Sequence, residues 1–456
     1  MTHSKSAAKS PAAPILAGFA AGLRYGDIPA PVVERATHCL IDAAACAIYG
    51  ARFPWSRIAL DQTSLEKDAG FLPVSDSDAP GGIREAALVW GTRAHAFELD
   101  SLCKPSAGVH PGATVALPAL AMARARRSSG RDLIRAIVAG CEVMFRIGTA
   151  TLHTPEKRGF HAPGLNGPFG SAIACGTLLG LSADQLTNAL GIAGSLGGGL
   201  LAFSKAERGG MVKRLHMGRA AEAGVLAAQL AAGGFDGPDT VLDGRFGFLQ
   251  AVCDESDPSL LTADVGTSWK IETLCLKQFA CHITAHAPVQ LLRTLMQKHG
   301  FTGEEISGLR LGVSEKVLSH HTTRNPADIM QAQYSVPYIT AIAAYRDLSE
   351  PENFSDDVLT DTKVRRLAEA IVLEPKRGGD GKGWGVEMTA KLRDGRRIED
   401  ALNSFPGCPE SPFTLDQLRS KFRALTKGAE TDADRLFATL QSIETLEDTR
   451  RLWSVG

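Results

Sequence analysis

Ionisable side chains are concentrated in one stretch of the chain, which runs from His95 to His110 between two apolar segments with helical spacing. The stretch includes imidazoles, carboxylates and an ammonium group. Burying such groups costs free energy unless they are paired or lie in a solvated cleft, and shifted ionisable groups gather at functional sites. The stretch is therefore the first candidate for a catalytic site. Taken alone, a polar surface loop explains it equally well.

Three further segments place polar side chains in an apolar helical background. His161 lies in a loop rich in glycine and proline, where the backbone can approach a ligand closely. Lys213 and Arg214 lie at a predicted helix start, and cations there suit a substrate that carries carboxylates, although a solvated basic face is the equal alternative. His282 and His286 share one helical face, but no HExxH glutamate and no third ligand in register accompany them, so metal binding is not expected.

Two other patterns are interpreted as structural. The glycine-rich segment 194–199 resembles a phosphate loop only superficially, because no strand precedes it and the Walker and Rossmann spacings are missing. It is interpreted as a flexible helix end. Tyr334 and Tyr338 share one face of a predicted helix, and that spacing on its own indicates core packing.

The composition excludes several function classes. The chain has 456 residues, of which 44% are hydrophobic, and a net charge of −1, so roughly two or three domains and no nucleic-acid or membrane partner are expected. No apolar run approaches the ~20 residues of a membrane span. The nine scattered cysteines are typical of a reducing cytosol, so a cytoplasmic location is expected. Residues 1–14 lack the apolar core of a signal peptide and are expected to form a disordered tail.

The hydrophobic spacing predicts a mainly α protein with an α+β second domain. Residues 1–266 contain one helical pattern after another and are assigned to an all-helical domain. Residues 267–402 mix helical and alternating patterns and are assigned to a smaller α+β domain. The helices of 403–456 are expected to pack back on the first domain. Predicted strands are 309–313, 370–373, 386–392 and 396–398, with a turn at Asp394-Gly395 between the last two. Predicted helices include 167–180, 183–196 with Ser182 as its cap, and 329–346.

In their order along the chain, these clusters resemble the MmgE/PrpD family, which includes 2-methylcitrate dehydratases, cis-aconitate decarboxylases and iminodisuccinate epimerases. The resemblance extends from about residue 15 to 450. Any one motif is weak, but the ordered set is specific. The segments that carry it are 94–100, 110–112, 140–148, 159–161 with 167–170, 213–221, and 277–281 with His286. Tyr338 falls where the family's active-site tyrosine is expected.

The resemblance implies an all-helical domain, an α+β lid, an active site in the cleft between them, and a homodimer that needs no metal or organic cofactor. The implied chemistry moves a proton at a carbon next to a carboxylate, which requires a base, an acid and cations that stabilise enolate-like charge. The catalytic candidates are His110, His161, Lys213 and Tyr338. The substrate-binding candidates are Glu98, Asp100, Lys104, Arg214, Lys277 and His286.

The chain departs from the family pattern beside the acidic residues. Ser101 replaces a third acid, Leu102 replaces a threonine, and about two extra residues, which include Lys104 and Gly108, precede His110. The first hypothesis is a cofactor-independent lyase, a dehydratase or decarboxylase, that acts on a small di- or tricarboxylate. The departures raise the alternative of an epimerase or isomerase of a small dicarboxylate with the same site. A non-catalytic polycarboxylate-binding protein is the contrasting class.

Overall fold

The computed structural model describes residues 10–65, 80–105, 108–205, 210–377, 383–429 and 432–452. The chain forms two compact units. The first consists of Met1–Ala96, Asp100–Leu274 and Thr426–Gly456, and the second of Phe97–Leu99 and Cys275–Leu425. The sequence placed the boundaries after residues 266 and 402, whereas the structure places them after Leu274 and Leu425.

Helices dominate the first unit, and the second unit combines helices with a sheet, which confirms the predicted fold class. The α-helices are α1 (Ala12–Gly22), α2 (Ala30–Gly50), α3 (Pro54–Asp61), α4 (Pro80–Ala94), α5 (Leu117–Arg126), α6 (Gly130–Ala150), α7 (Thr154–Lys157), α8 (Ala162–Leu178), α9 (Ala183–Leu196), α10 (Val212–Ala232), α11 (Phe248–Val252), α12 (His286–His299), α13 (Glu315–His320), α14 (Ile329–Gln333), α15 (Val336–Ala343), α16 (Thr362–Glu369), α17 (Leu415–Thr426) and α18 (Ala433–Gln441). The strands are β1 (Leu102–Cys103), β2 (Leu274–Cys275), β3 (Ile306–Val313), β4 (Ile371–Pro375), β5 (Val386–Leu392) and β6 (Arg397–Leu402).

Capping explains where the helices beside the candidate residues begin. The predicted cap of α9 is confirmed, because the Ser182 side chain accepts a hydrogen bond from the Gln185 N–H and Gln185 caps in return. α8 begins at Ala162, earlier than the predicted 167, because Pro163 lies in its first turn and needs no donor there. His161 is the extended residue before that turn.

Glycines let α4 and α10 approach until their backbones touch. A Cβ atom on Gly218 would lie 2.2 Å from the Leu88 carbonyl oxygen, and one on Gly91 would lie 3.0 Å from the Gly218 Cα. Only a residue without a side chain fits this approach. The close packing brings the start of α10, with Lys213, beside the end of α4, where His95 follows.

The sheet of the second unit has the strand order β4-β3-β5-β6. β3 is parallel to β4 and antiparallel to β5, and β5 and β6 form an antiparallel hairpin. The hairpin turns at Asp394-Gly395, as the sequence predicts, with Gly395 at a φ of +93°. The parallel pair requires a crossover, which here contains helices α13 to α16.

The single helix predicted for 329–346 is wrong. The structure divides it into α14 and α15. Pro337 has no N–H to donate to the preceding turn, and the Ser335 side chain caps α15 by accepting a hydrogen bond from the Tyr338 N–H. Tyr334 therefore follows the end of α14, Tyr338 lies inside α15, and the two do not share a continuous helical face.

Residues 1–9 of the predicted tail lie outside the described residues, while α1 begins at Ala12 inside the predicted 1–14 segment. None of the nine cysteines, all of which lie in the described ranges, forms a disulfide. Within the described ranges, none of the helices is both long enough and apolar enough to cross a bilayer.

Candidate active site

Six ionisable side chains of the first unit form what we call the imidazole cluster. Its members are His95, Asp100, His110, His161, Lys213 and His216. They come from the ends of three helices and from the loop before α5. The cluster is largely buried, which makes every hydrogen bond within it consequential.

The Asp100 carboxylate joins two histidines. Its Oδ1 lies 2.8 Å from His95 Nδ1, and its Oδ2 lies 2.9 Å from His110 Nδ1. The side chains of Asp100 and His95 are fully buried, whereas that of His110 is 14% exposed. Because an ionised carboxylate only accepts hydrogen bonds, both Nδ1 atoms carry protons. Each ring, when neutral, therefore has an unprotonated Nε2.

The environment of Asp100 keeps it ionised. Burial alone would raise its pKa, but the favourable electrostatic interaction with the His95 and His110 rings and the hydrogen bonds from both rings hold the pKa well below its usual range. The ionised carboxylate fixes the tautomer and the orientation of the His110 ring. A histidine fixed in this way, with one nitrogen available, can act as a general acid or base.

Lys213 extends this hydrogen-bonded chain. Its Nζ lies 2.7 Å from His95 Nε2, which is the ring nitrogen that Asp100 leaves unprotonated. Lys213 is only 3% exposed. A continuous series of hydrogen bonds thus runs from Lys213 through His95 and Asp100 to His110. It links a cation to an oriented imidazole.

His161 and His216 form a second imidazole pair. Their Nδ1 atoms lie 2.9 Å apart, so one nitrogen donates a proton and the other accepts. Burial, followed by the charge of Lys213, lowers the pKa of both rings, that of His161 well below its usual range. The pair is therefore neutral at pH 7, with a protonated Nε2 on one ring and an unprotonated Nε2 on the other.

The glycine-rich segment 194–199 helps to position this pair. The His161 N–H donates to the Gly199 carbonyl at 3.0 Å, and the Gly198 N–H donates to the Gly164 carbonyl at 3.1 Å. A Cβ atom on Gly199, which has a φ of +142°, would lie 3.2 Å from His216 Nδ1. The segment is thus hydrogen-bonded to the loop that carries His161, a role that the interpretation as a flexible helix end did not include.

Ser101 has a structural role at the position where the family pattern has an acid. Its hydroxyl accepts a hydrogen bond from the Gly112 N–H at 3.1 Å. Gly112 begins a π-helical turn that leads into α5, and such turns recur at functional sites. The Thr114 N–H and hydroxyl both donate to the His110 carbonyl, at 3.0 and 2.9 Å. Ser101 thus ties the loop that bears Asp100 to the turn after His110.

His95, Asp100 and His110 also offer three atoms that metals favour, all within 4.8 Å of one another. The sequence patterns directed attention to His282 and His286 instead. The oxygens of Asp100 lie 2.8 and 2.9 Å from the ring nitrogens. Ligands around a tetrahedral zinc, with bonds of ~2.0–2.1 Å, stand roughly 3.3 Å apart. The geometry therefore fits hydrogen bonds better than ligation.

A second polar cluster lies in the second unit and centres on Glu98. Its Oε2 accepts a hydrogen bond from Lys277 Nζ at 3.2 Å, and its Oε1 accepts one from the Tyr334 hydroxyl at 3.3 Å. Glu98 and Lys277 are both buried. The His282 and His321 rings lie next to each other, with centroids 4.1 Å apart, and both lie next to the Tyr334 ring, at 5.3 and 5.8 Å. Of the predicted residues, the structure thus joins Glu98 and Lys277 here.

Backbone contacts fix the same segment. Gln333 Nε2 donates to the Phe97 carbonyl at 3.1 Å, and Lys421 Nζ donates to the Leu99 carbonyl at 2.8 Å. Glu98 itself has a φ of +60°, a conformation that a residue with a Cβ rarely adopts. Side-chain and backbone bonds together hold it there. The carboxylate of Glu98 is therefore tightly positioned, although it follows shortly after His95 in the sequence.

Three predicted site residues have structural contacts instead of joining either cluster. The fully buried Tyr338 donates its hydroxyl hydrogen to the Val358 carbonyl at 2.7 Å. The Arg214 guanidinium is buried, donates to the Gly210 carbonyl at 3.1 Å and lies 5.3 Å from the centre of the Trp55 ring. His286 is fully buried in the second unit, where its ring contacts Phe279 and Phe405 with centroids 5.2 and 5.3 Å away. Burial, followed by the charges of Lys277 and Lys421, lowers the pKa of His286 well below its usual range.

Lys104, the remaining predicted residue, is half-buried in the first unit. Its backbone N–H donates a hydrogen bond to the Thr273 carbonyl at 2.9 Å. Its ammonium group is not part of either cluster as we define them, although its position shortly before His110 keeps it in the same loop.

Sequence reasoning left three residues of the clusters without an assigned role. His95 and His216 lie inside motifs that were recognised, but their neighbours in those motifs received the catalytic assignments. Tyr334 was treated as the packing partner of Tyr338. The signal that could have identified His95 is its position at the end of a helix, directly before an acidic stretch.

The family model described as the MmgE/PrpD N-terminal domain matches residues 15–261, and the model described as the MmgE/PrpD C-terminal domain matches residues 279–445. A cis-aconitate decarboxylase from Aspergillus terreus is 30% identical over 94% of this chain and 92% of its own length. The cis-aconitate decarboxylase-like protein oryM from Aspergillus oryzae is 29% identical over 95% and 94%. A human cis-aconitate decarboxylase is 26% identical over 94% and 90%. The chain therefore belongs to the MmgE/PrpD family and is an enzyme of that family.

Proposed function

We propose that this enzyme is a cofactor-independent lyase that acts on a small di- or tricarboxylate, with decarboxylation as the first reaction to test and dehydration as the second. The observation that carries the proposal is the hydrogen-bonded series from Lys213 to His110, which supplies a cation and an oriented imidazole together. The relatives that are named cis-aconitate decarboxylases support a substrate with three carboxylates.

Lys213 is the buried cation that we assign to a carboxylate of the substrate. It contacts His95 and lies close enough to His161 to influence that ring electrostatically. By contrast, Lys277 pairs with Glu98, and Arg214 donates to a backbone carbonyl. A cation among imidazoles stabilises negative charge that develops on the substrate, and it does so strongly because the surroundings are poor in water.

His110 is the residue to which we assign the proton transfer. In a dehydration, its Nε2 removes a proton next to a carboxylate while hydroxide leaves the neighbouring carbon. In a decarboxylation, the bond to the departing carboxylate breaks, carbon dioxide leaves, and the electron pair stays on the substrate skeleton. The His110 imidazolium then supplies the proton of the new C–H bond, and the Asp100 carboxylate stabilises that imidazolium before transfer.

The pair of His161 and His216 favours one second candidate, an epimerase or isomerase of a small dicarboxylate. Epimerisation needs a base on one face of the carbon and an acid on the other. Only one of the Nδ1 atoms of His161 and His216 carries a proton, so one ring has a protonated Nε2 and the other has an unprotonated Nε2. The pair therefore provides a donor and an acceptor in addition to the Nε2 of His110. The same site therefore has the groups that both reactions require.

For the second unit, we propose that Tyr334 takes the role predicted for Tyr338. The Tyr334 hydroxyl belongs to the polar cluster around Glu98, whereas the Tyr338 hydroxyl bonds to a backbone carbonyl. Glu98 then orients Tyr334 and Lys277. A homodimer without a nucleic-acid or membrane partner is the assembly that we propose from the family, and light scattering after gel filtration measures it.

The proposed reaction is tested by turnover in heavy water. The purified enzyme is incubated with cis-aconitate, with citrate-like hydroxy acids and with dicarboxylates derived from aspartate, and the products are analysed by mass spectrometry. A product that has lost carbon dioxide and gained one deuterium at carbon supports the decarboxylase. A product that has lost water supports the dehydratase.

Other outcomes contradict the lyase. A product of unchanged skeleton with one deuterium at the reacting carbon indicates the epimerase. Binding by calorimetry without turnover indicates a non-catalytic binding protein. Lys213→Met tests whether the turnover depends on the proposed site. It should abolish turnover and leave the melting temperature nearly unchanged, because we assign Lys213 to substrate binding and not to packing.

A further inference from the structure

His95 is the member of the hydrogen-bonded series to which the proposed function assigns no step. Its ring is fully buried, its Nδ1 lies 2.8 Å from Asp100 Oδ1, and its Nε2 lies 2.7 Å from Lys213 Nζ. Because the ring is buried and both nitrogens are engaged, His95 does not reach a substrate. Its effect must pass through the two charged residues that it joins.

The charged form of the buried Lys213 requires a stabilising interaction. Burial disfavours the charged form of a lysine and can lower its pKa by several units, far enough to leave a neutral amine at pH 7. Asp100 is the carboxylate among the groups that surround Lys213 in this cluster, and it lies behind His95. The titratable and charged groups around Lys213 are His95 after α4, Asp100 and His110 in the loop before α5, His161 before α8, and Arg214 and His216 on α10.

We propose that His95 is a positioning residue that keeps Lys213 in its charged form. The His95 Nδ1–H donates to the Asp100 carboxylate, and this bond makes Nε2 a better acceptor for the ammonium group of Lys213. The ring thereby transmits the influence of the Asp100 charge to Lys213, which lies on the other side of the ring. The inference rests on the proposed function in one respect, namely that the charged Lys213 binds the carboxylate of the substrate.

The first test compares the pH dependence of kcat/KM in His95→Phe and His95→Gln. Phenylalanine keeps a ring but accepts no hydrogen bond, so Lys213 should lose its proton at lower pH. The alkaline limb of the profile should then move down by about one pH unit or more. Glutamine can donate to Asp100 and accept from Lys213, so its alkaline limb should stay near that of the wild type.

A merely structural role predicts a different result. In that case His95→Phe lowers kcat/KM by the same factor at every pH, the alkaline limb stays in place, and the melting temperature falls. That outcome would overturn the proposal. So would an alkaline limb in the glutamine variant that moves as far as in the phenylalanine variant.

A second measurement does not require turnover and remains decisive if His95→Phe does not fold. Nitrogen-15 NMR of the wild-type histidines should show His95 as a neutral ring with its proton on Nδ1 at pH 7. Carbon-13 NMR of labelled lysine, assigned with Lys213→Met, should show Lys213 charged at that pH. A protonated Nε2 on His95, or a neutral Lys213, contradicts the inference. Correct NMR signals without turnover of any substrate would instead contradict the proposed function and leave the inference intact.

Discussion

Replacing Asp100 with asparagine tests the chemistry of the imidazole cluster with the least change of shape. The carboxylate accepts hydrogen bonds from His95 Nδ1 and His110 Nδ1, at 2.8 and 2.9 Å. The amide has one oxygen to accept with, and its NH₂ group faces the other ring. One histidine must then lose its hydrogen bond or move its proton to Nε2. If that ring is His110, its catalytic nitrogen is no longer a base.

The expected loss follows from what a positioned acid–base group contributes, which is ~10² to 10⁴-fold in rate. We therefore expect kcat/KM of Asp100→Asn to fall by about that factor, equivalent to ~2.7–5.4 kcal/mol of transition-state stabilisation. The assay is steady-state turnover of the substrate found in the heavy-water experiment. The fraction of folded protein is measured by circular dichroism on the same samples.

Glu142→Gln is the matched control. Glu142 is also a buried carboxylate of the first unit, but it accepts from the Ile271 N–H at 2.9 Å and pairs with Arg146 at 3.5 Å. Its replacement should cost stability, about 1–3 kcal/mol, without lowering kcat/KM of the folded protein. The reasoning is refuted if folded Asp100→Asn retains kcat/KM within about threefold of the wild type, or if Glu142→Gln loses as much activity as Asp100→Asn.

Three further predictions follow from the buried groups. Burial lowers the pKa of His161 and His286, so below about pH 6.5 the unfolded chain binds protons that the folded protein does not. The free energy of unfolding should therefore fall as pH falls, by up to about 1.4 kcal/mol per pH unit for each ring. Urea titrations between pH 7.5 and 5.5 measure this change, and a free energy of unfolding that is independent of pH contradicts it. Tyr338→Phe should lose about 1 kcal/mol of stability and keep its activity, because the Tyr338 hydroxyl donates to a backbone carbonyl. Tyr334→Phe should lose activity with little change in stability. The reverse pattern in kinetic and urea-unfolding measurements would support a catalytic role for Tyr338. Treatment with a chelator should leave turnover unchanged because the cluster geometry fits hydrogen bonds, and activity that is lost and then restored by zinc would make Asp100 and its two histidines the first suspected ligands.

The secondary structure was predictable where one local rule decides it. The capping box at Ser182 and the turn at Asp394-Gly395 have mechanisms that act within a few residues, and both are confirmed. The break at Pro337 was equally local, but the apolar spacing of 329–346 concealed it. The prediction followed the longer pattern, and the proline together with the Ser335 cap determined the structure.

The candidate site was predictable as a set of motifs but not as a set of contacts. His110, His161, Lys213 and Asp100 were named from the sequence, and the structure brings them into one cluster. The bridge through His95 depends on the approach of α4 to α10, which glycines on both helices allow and which no local pattern reveals. The contacts of the Tyr334 and Tyr338 hydroxyls likewise depend on tertiary structure, since Tyr334 donates to Glu98 and Tyr338 to the Val358 carbonyl.

Arg214 shows why residue type alone does not assign a binding role. Its charge and its position next to Lys213 suggested a substrate carboxylate. Successive residues on a helix point about 100° apart, so the neighbour of a site residue faces elsewhere. The Arg214 guanidinium accordingly donates to a backbone carbonyl and lies over Trp55.

The central claim is that the imidazole cluster holds the substrate and transfers its proton, and a crystal structure of His110→Gln with bound substrate tests it most directly. We predict that the reacting carbon lies within about 3.5 Å of the side chain of residue 110. We also predict that one carboxylate of the substrate lies within hydrogen-bond distance of Lys213 Nζ. A substrate that is bound with its carboxylates away from Lys213, and with its reacting carbon out of reach of residue 110, would contradict the account.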